Sequence, residues 1–158
     1  MAIEIERKFL VKNQLFESQS SRSYSIEQGF LNSDKNRVVR VRLKDEQGFL
    51  TIKGKTNDSG LSRFEWEKEI DFKEAKDLLL LCEKNIIQKR RFEVEYGNHC
   101  FEIDVFSGLN EGLIIAEVEL NSEEENFIKP SWLGTEVTGQ PKYYNSELSK
   151  NPYLSWVK

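Results

Sequence analysis

Apolar and charged residues alternate along most of the chain, beginning with the stretch IEIERKFLV at residues 3–11. An alternation of period two is typical of a β-strand whose two faces meet different surroundings. The pattern returns seven more times, separated by turn signals such as Gly48, the run NDSG at 57–60 and Gly97-Asn98. We therefore predict eight strands near residues 2–12, 23–32, 37–45, 48–54, 61–72, 87–96, 99–107 and 112–122.

Two segments have a helical pattern instead. The stretch FKEAKDLLLLCEKN at 72–85 places Ala75, Leu78, Leu79 and Cys82 on one stripe, and Asp71 precedes it as a candidate N-cap. A weaker helical pattern covers residues 141–150. Eight strands with so few helices predict a mainly β (α+β) protein whose antiparallel sheet is long enough to close into a barrel. At 158 residues, we expect one domain, residues 1–158.

Each predicted strand carries a charged face opposite an apolar face. Two arrangements fit this pattern: a sheet whose charged face lies in water, or a closed barrel whose charged face lines the lumen. The signs form blocks, with acids on the first and last strands and guanidinium groups on the third, whereas a solvated surface mixes signs more evenly. The blocks, and the lack of helices to cover eight apolar faces, favour a closed eight-stranded antiparallel barrel with a polar, charged lumen and a few flanking helices.

The repulsion in a charged lumen must be offset by water and opposite charges, and a polyanion with metal ions would offset it best. Two like charges about 5 Å apart repel by about 3 kcal/mol at an effective dielectric near 20. A few such pairs would cancel the roughly 5–15 kcal/mol by which a domain is stable. Basic groups bind phosphate oxygens, and carboxylates bind Mg²⁺ or Mn²⁺, which bridge phosphates. The pattern therefore predicts a site for a metal-bound polyphosphate.

The overall charge and composition narrow the partners further. The net charge is -4 and no basic tail is present, so we expect no nucleic-acid binding. We find neither an apolar run of membrane-spanning length nor a signal peptide, so we expect no membrane association. Cys82 and Cys100 lack metal-site spacing, and we interpret them as reduced thiols of a cytoplasmic protein.

Eight short stretches resemble, in the same order, the motifs of a known family. EIERKFLV at 4–11 resembles the Glu-x-Glu-x-Lys signature of the CYTH family, the triphosphate tunnel metalloenzymes. The other matching stretches are IEQGFL, RVVRVRL, LTIKGK, LSRFEWEKEI, IIQKRRFEV, FEIDVFSGLNEGLIIAEVEL and EVTGQPKYYNSELS. Together they cover nearly the whole chain. One departure is Phe30, where the family usually has Tyr.

The resemblance implies a tunnel that binds triphosphates with divalent metal, and it implies roles for matching positions. The metal ligands or their neighbours would be Glu4, Glu6, Asp104, Glu117 and Glu119. Phosphates would be bound by Lys8, Arg40, Arg42, Lys53 and Arg91. Lys89, with Glu67 or Glu65 nearby, would place or activate the attacking water, while Lys142 and Tyr144 would close one tunnel mouth.

The short chain and its compact start look most like the bacterial inorganic triphosphatases of this family. We therefore expect a Mg²⁺- or Mn²⁺-dependent hydrolase, with two ions, that converts tripolyphosphate to pyrophosphate and phosphate. The alternatives are a thiamine or nucleoside triphosphatase, an adenylate cyclase, and a non-catalytic polyphosphate-binding module. A homodimer would cover outward apolar side chains, although long loops would do so as well.

Overall fold

A computed structural model describes residues 2–156 and contains nine strands and three short α-helices. The strands are β1 (Ile3–Val11), β2 (Arg22–Asn32), β3 (Arg37–Lys44), β4 (Gln47–Gly54), β5 (Ser62–Ile70), β6 (Ile87–Tyr96), β7 (His99–Phe106), β8 (Ile114–Glu119) and β9 (Leu133–Glu136). The α-helices are α1 (Phe16–Gln19), α2 (Phe72–Leu79) and α3 (Asn145–Leu148), and 3-10 turns lie at Gly108–Asn110, Pro141–Tyr143 and Tyr153–Ser155. None of the helices in the described part of the chain is long and apolar enough to cross a membrane.

Strands β1 to β8 form a closed antiparallel barrel, as the sequence predicts. The strand order is β5-β4-β3-β2-β6-β7-β8-β1, and pairing of β1 with β5 closes the circle. This closure is short, because it joins only the ends of the two strands, from Ile3 opposite Phe64 to Ile5 opposite Ser62. The far end of β1 pairs instead with β9, where Val11 lies opposite Leu133.

Because of the alternation, one set of apolar side chains lies on the outside of the barrel. There they form two separate apolar cores with the segments that cover them. One core lies beneath α1 and the segment 127–133, and it buries Phe16 and Trp132 completely. The other lies beneath α2, where Ala75 packs against β3 and β4. Gly48 is required there, because a Cβ atom at this position would lie 2.5 Å from the Cβ of Ala75.

A third apolar core fills one end of the lumen itself. On β3 and β6 the apolar residues Val38 and Ile87 precede the basic residues of the lumen, and both are buried. Tyr143 and Leu148, from the C-terminal segment, enter the same core. The C-terminal segment therefore closes one end of the barrel with apolar packing, and the charged side chains occupy the rest of the lumen.

The structure differs from the sequence expectation in four places. Helix α2 begins after the predicted cap, since the Asp71 carboxylate accepts a hydrogen bond from the Glu74 amide, but it ends at Leu79 rather than near residue 85. The chain turns there because Glu83 is bound to the end of β2: its amide donates to the Phe30 carbonyl at 2.8 Å. Strand β9 and helix α1 were not predicted, and the pattern at 141–150 forms a 3-10 turn followed by α3.

Candidate active site

A cavity of about 280 Å³ occupies the charged part of the lumen. Every side chain predicted for the site lines it except Asp104 and Lys142. Eight basic and seven acidic side chains form its wall, so the wall has no acidic excess that would repel an anion: Lys8, Arg40, Arg42, Lys44, Lys53, Arg63, Lys89, Arg91, Glu4, Glu6, Glu65, Glu67, Glu102, Glu117 and Glu119.

The basic wall contains groups whose bonding capacity is unused. Arg40 is buried, and its Nη2 lies 3.3 Å from Glu67 and 3.2 Å from Thr51, but its Nε has no hydrogen-bond partner within residues 2–156. Arg42 donates from Nε to Gln28 Oε1 at 2.7 Å and forms no salt bridge with any described residue. Buried charge without a partner is costly. These two guanidinium groups therefore favour the entry of an anion.

Arg42 remains a cation at neutral pH. Burial lowers its pKa to about 9, and the neighbouring guanidinium groups of Arg40 and Arg91 act in the same direction. The positive charge of Arg42 thus lies close to other positive charges that repel it. A polyanion that enters the cavity would relieve this repulsion.

Asp104 organises two of the basic groups from behind the cavity wall. It is 1% exposed, and its oxygens accept bonds from Arg91 Nε at 2.7 Å, Arg91 Nη2 at 2.9 Å and Lys89 Nζ at 2.7 Å. Burial would raise the pKa of Asp104, but Arg91 and Lys89 outweigh it and hold the pKa below its usual value. Asp104 does not line the cavity, so its position does not support the predicted role as a metal ligand.

Lys89 is a buried amine with an unusual proton affinity. Burial is the main cause that lowers the pKa of Lys89; Asp104 opposes the shift, Arg91 and Arg42 add to it, and together these effects give a pKa of about 7. Near neutral pH a large share of this side chain is therefore uncharged. An uncharged amine can accept a proton from water, which an ordinary lysine cannot do at this pH.

The acidic wall consists mainly of glutamates on β1 and β8. The strand register places Glu6 opposite Glu119 and Lys8 opposite Glu117. The carboxyl groups of Glu6 and Glu117 are in hydrogen-bonding contact: burial and Glu117 raise the pKa of Glu6 well above its usual value. Burial would also raise the pKa of Glu117, but Lys8 and the hydrogen bond from Glu6 hold it well below its usual value. These opposite shifts favour the protonated form of Glu6 and the ionised form of Glu117.

A second acidic pair is bridged by a lysine. Lys53 Nζ lies 3.2 Å from Glu4 and 3.2 Å from Glu65. Burial raises the pKa of Glu65, while Lys53 overcomes the effect of burial at Glu4 and lowers its pKa. In both pairs, Glu6 with Glu117 and Glu4 with Glu65, neighbouring carboxylates repel each other unless a proton or a cation lies between their oxygens.

The donor set of the acidic wall fits a divalent cation. No group of three or more acidic, His or Cys side chains in the described residues is close enough to hold a metal ion by itself. Mg²⁺ and Mn²⁺ suit carboxylate and phosphate oxygens, and Mg²⁺ is usually bound by only one or two carboxylates together with substrate phosphates and water. The Glu6–Glu117 pair offers two carboxyl groups in contact, where a cation would offset the repulsion that raises the pKa of Glu6.

Two aromatic or basic residues of the C-terminal segment were predicted for one tunnel mouth, and they lie in different places. Tyr144 lines the cavity, and its ring centre lies 5.4 Å from Lys8 Nζ and 5.8 Å from Arg63 Cζ. Lys142 is exposed and lies over the ring of Trp156 at 4.8 Å, outside the cavity. The position of Lys142 does not support a role in closing the tunnel.

Several residues of the site were not predicted from the sequence. Arg63 and Glu102 follow the alternating pattern of their strands and lie on the same face as the assigned residues. The alternation could therefore have predicted that they line the cavity. Gln28 lies within the IEQGFL stretch and binds Arg42. Asn145 lies within the matching stretch EVTGQPKYYNSELS, but no local pattern indicates that it reaches the lumen, because the return of the C-terminal segment brings it there.

Comparisons with known proteins agree with this architecture. The CYTH domain profile matches residues 2–152. The inorganic triphosphatase of Acetivibrio thermocellus is 46% identical over 157 residues, which cover 99% of both chains. That of Nitrosomonas europaea is 35% identical over 150 residues, 92% of this chain and 96% of the relative. The crystal structure of the inorganic triphosphatase NE1496 superposes with a TM-score of 0.66 at 32% identity and covers 98% of this chain and 100% of that one.

Proposed function

The chain belongs to the CYTH domain family, and from that premise we propose that it is an inorganic triphosphatase that hydrolyses tripolyphosphate to pyrophosphate and phosphate with Mg²⁺ or Mn²⁺. The observation that carries this proposal is the charged lumen: guanidinium groups with unused bonding capacity, at Arg40 Nε and at Arg42, and pairs of carboxyl groups line one cavity of about 280 Å³. Ligand cavities usually measure roughly 300–1,000 Å³. This cavity therefore suits a small, highly charged ligand.

The basic wall binds the phosphate chain in this proposal. Lys8, Arg40, Arg42, Lys53 and Arg91 line one continuous cavity, so a linear triphosphate contacts several of them at once. Guanidinium groups present forked donors that match phosphate oxygens. The free Nε of Arg40 gains its missing partner when an oxygen of the ligand enters.

The acidic wall would hold the divalent ions. Glu4, Glu6, Glu117 and Glu119 supply enough carboxylate oxygens for two ions, since each ion needs only one or two carboxylates beside phosphate and water. When bound, such ions neutralise phosphate charge and lower the pKa of a coordinated water. Lys8, opposite Glu117 on the neighbouring strand, keeps that carboxylate ionised and available.

Lys89 accepts the proton of the attacking water in its uncharged form. Its low pKa and its place in the cavity wall support this role. Glu67 accepts hydrogen bonds from Arg40 and from the Thr51 hydroxyl, and Glu65 contacts Lys53. These two acids therefore orient phosphate-binding groups, and because both line the cavity they would help to place the water.

The proposal extends to the setting of the protein. Cys82 and Cys100 are both free thiols, which supports a cytoplasmic location, where disulfides are rare. The homodimer stays a prediction.

A phosphate-release screen tests the function. Tripolyphosphate, ATP, GTP, thiamine triphosphate and pyrophosphate are each incubated with Mg²⁺ or Mn²⁺, and we expect the fastest release from tripolyphosphate and none with a chelator present. Glu117→Gln should remove this activity, while Glu111→Gln, an exposed loop residue of the same type, should retain it. Tight binding without turnover would instead indicate a binding module, and conversion of ATP to cyclic AMP and pyrophosphate would indicate a cyclase.

A further inference from the structure

We propose that Asn145 is a positioning residue for Lys89, so that the C-terminal segment completes the active site as well as closing the barrel. The inference rests on the proposed triphosphatase activity and adds a residue to it. Asn145 is the first residue of α3 and lines the cavity. Its Oδ1 accepts two hydrogen bonds, from Lys89 Nζ at 2.8 Å and from Gln28 Nε2 at 2.7 Å.

The orientation of the Asn145 amide follows from its neighbours. Arg42 carries only donors, and its Nε lies 2.7 Å from the Gln28 side chain, so Gln28 must present its oxygen to Arg42. The Gln28 amide nitrogen then faces Asn145 and donates to it. Asn145 therefore presents an oxygen, which is the group that Lys89 needs. Gln28 is fully buried, so no water competes for these bonds.

The number of bonds at Lys89 explains what Asn145 contributes. An uncharged amine has two N–H donors and one lone pair. Asp104 Oδ2 at 2.7 Å and Asn145 Oδ1 at 2.8 Å provide an acceptor for each N–H. The lone pair is then the only hydrogen-bonding position of Nζ that remains unused, and the Lys89 side chain lines the cavity. With Asp104 alone, the amine would rotate about its last bond and the lone pair would lose its fixed direction.

The rest of the C-terminal segment holds Asn145 in place. Tyr143 and Leu148, on either side of it in the chain, are buried in the apolar core at the end of the barrel. The Asn85 side chain also donates to the Ser149 carbonyl at 2.8 Å. The amide oxygen is thus fixed by packing outside the charged part of the cavity, and it is not fixed by the substrate.

A double-mutant cycle on tripolyphosphate hydrolysis tests the inference. We expect Asn145→Ala to lower kcat by about 10- to 100-fold, as a small loss of orientation does, while KM changes less than about 3-fold. Glu147→Gln is the matched control, because Glu147 lies in the same helix and pairs with Lys150 rather than Lys89, and it should keep kcat within about 2-fold. Thermal melting of each variant shows whether the barrel remains folded.

The cycle is completed in a Lys89→Ala background, with rates measured under single-turnover conditions. If Asn145 acts through Lys89, its removal there should cost less than about 2-fold more. Equal losses in both backgrounds, or an unchanged kcat in Asn145→Ala alone, would overturn the positioning role. A wild-type protein that releases no phosphate from tripolyphosphate would refute the proposed function instead, so the two failures are distinguishable.

Discussion

Replacing Asp104 with Asn tests whether the polar lumen is built around one carboxylate. The substitution keeps the shape of the side chain and removes its charge. Asp104 accepts two bonds from Arg91 and one from Lys89, and it is 1% exposed. In Asp104→Asn the buried Arg91 cation loses its closest counterion, and the new amide NH₂ meets donors.

The magnitude follows from the burial of the group. Breaking a buried ion pair by removing one partner costs about 3–5 kcal/mol in the free energy of unfolding. For a chain of this size, each kcal/mol corresponds to about 2–4 °C in Tm, so we expect Tm to fall by roughly 6–20 °C. Glu102 provides the control: it also contacts Arg91, at 3.4 Å, but its side chain is 41% exposed. Glu102→Gln should therefore cost less than about 1 kcal/mol.

Urea unfolding of wild type and both variants measures these differences, and its pH dependence gives a second check. The folded-state pKa of Asp104 is below its unfolded value of about 3.9, so its ionised form stabilises the fold above that pH and the contribution disappears as pH falls. The difference between wild type and Asp104→Asn should shrink below about pH 4. Equal losses for Asp104→Asn and Glu102→Gln at neutral pH would show that this carboxylate does not organise the lumen.

Three further outcomes are expected. Arg42→Gln should raise KM for tripolyphosphate by about 10- to 100-fold, because in the proposed function Arg42 would give charge-assisted bonds to phosphate and it forms no salt bridge with a described residue; an unchanged KM in steady-state assays would contradict this. Trp132→Ala should lower the free energy of unfolding by about 3–5 kcal/mol in urea titrations, and Trp66→Ala, at 42% exposure, far less; similar losses would show that the outer core is misassigned. The kcat should rise with pH through about 7, because Lys89 acts uncharged, and a stopped assay between pH 5.5 and 9 that shows no such rise would exclude Lys89 as the base.

The alternation predicted much of the barrel and of its charged face. All eight barrel strands were predicted, because period-two patterns with turn signals between them are local features. The faces were also readable: Glu6 and Lys8 share one face of β1, and the structure places both in the cavity wall. Strand β9 was missed because its four residues, LGTE, show no alternation between long apolar and polar side chains.

The alternation predicted the roles of individual acidic residues less well. Asp104 stands on the lumen face of β7, as predicted, but the register places it directly opposite Arg91, whose guanidinium group reaches back to bind it. The alternation predicts on which face of a strand a side chain lies, but not how far the side chain is from the cavity. It therefore could not distinguish an acidic residue that lines the cavity from one that binds the basic residues of the cavity wall. Lys142 was misplaced for a related reason, since the 3-10 turn at Pro141–Tyr143 directs it to the ring of Trp156.

The sequence by itself determined which side chains share a face, because strand geometry couples neighbours two residues apart and nothing else is needed. The alternation, together with the blocks of like charge and the ordered motifs, favoured a closed barrel with a charged lumen, and the pairing of β1 with β5 shows that closure. Only the tertiary structure decided which groups meet: that the carboxyl groups of Glu6 and Glu117 are in contact, that Asp104 lies behind Arg91 and Lys89, and that Asn145 returns from the C-terminal segment to bind Lys89. These contacts join residues far apart in the chain, and their distances depend on how the barrel closes and how its end is packed.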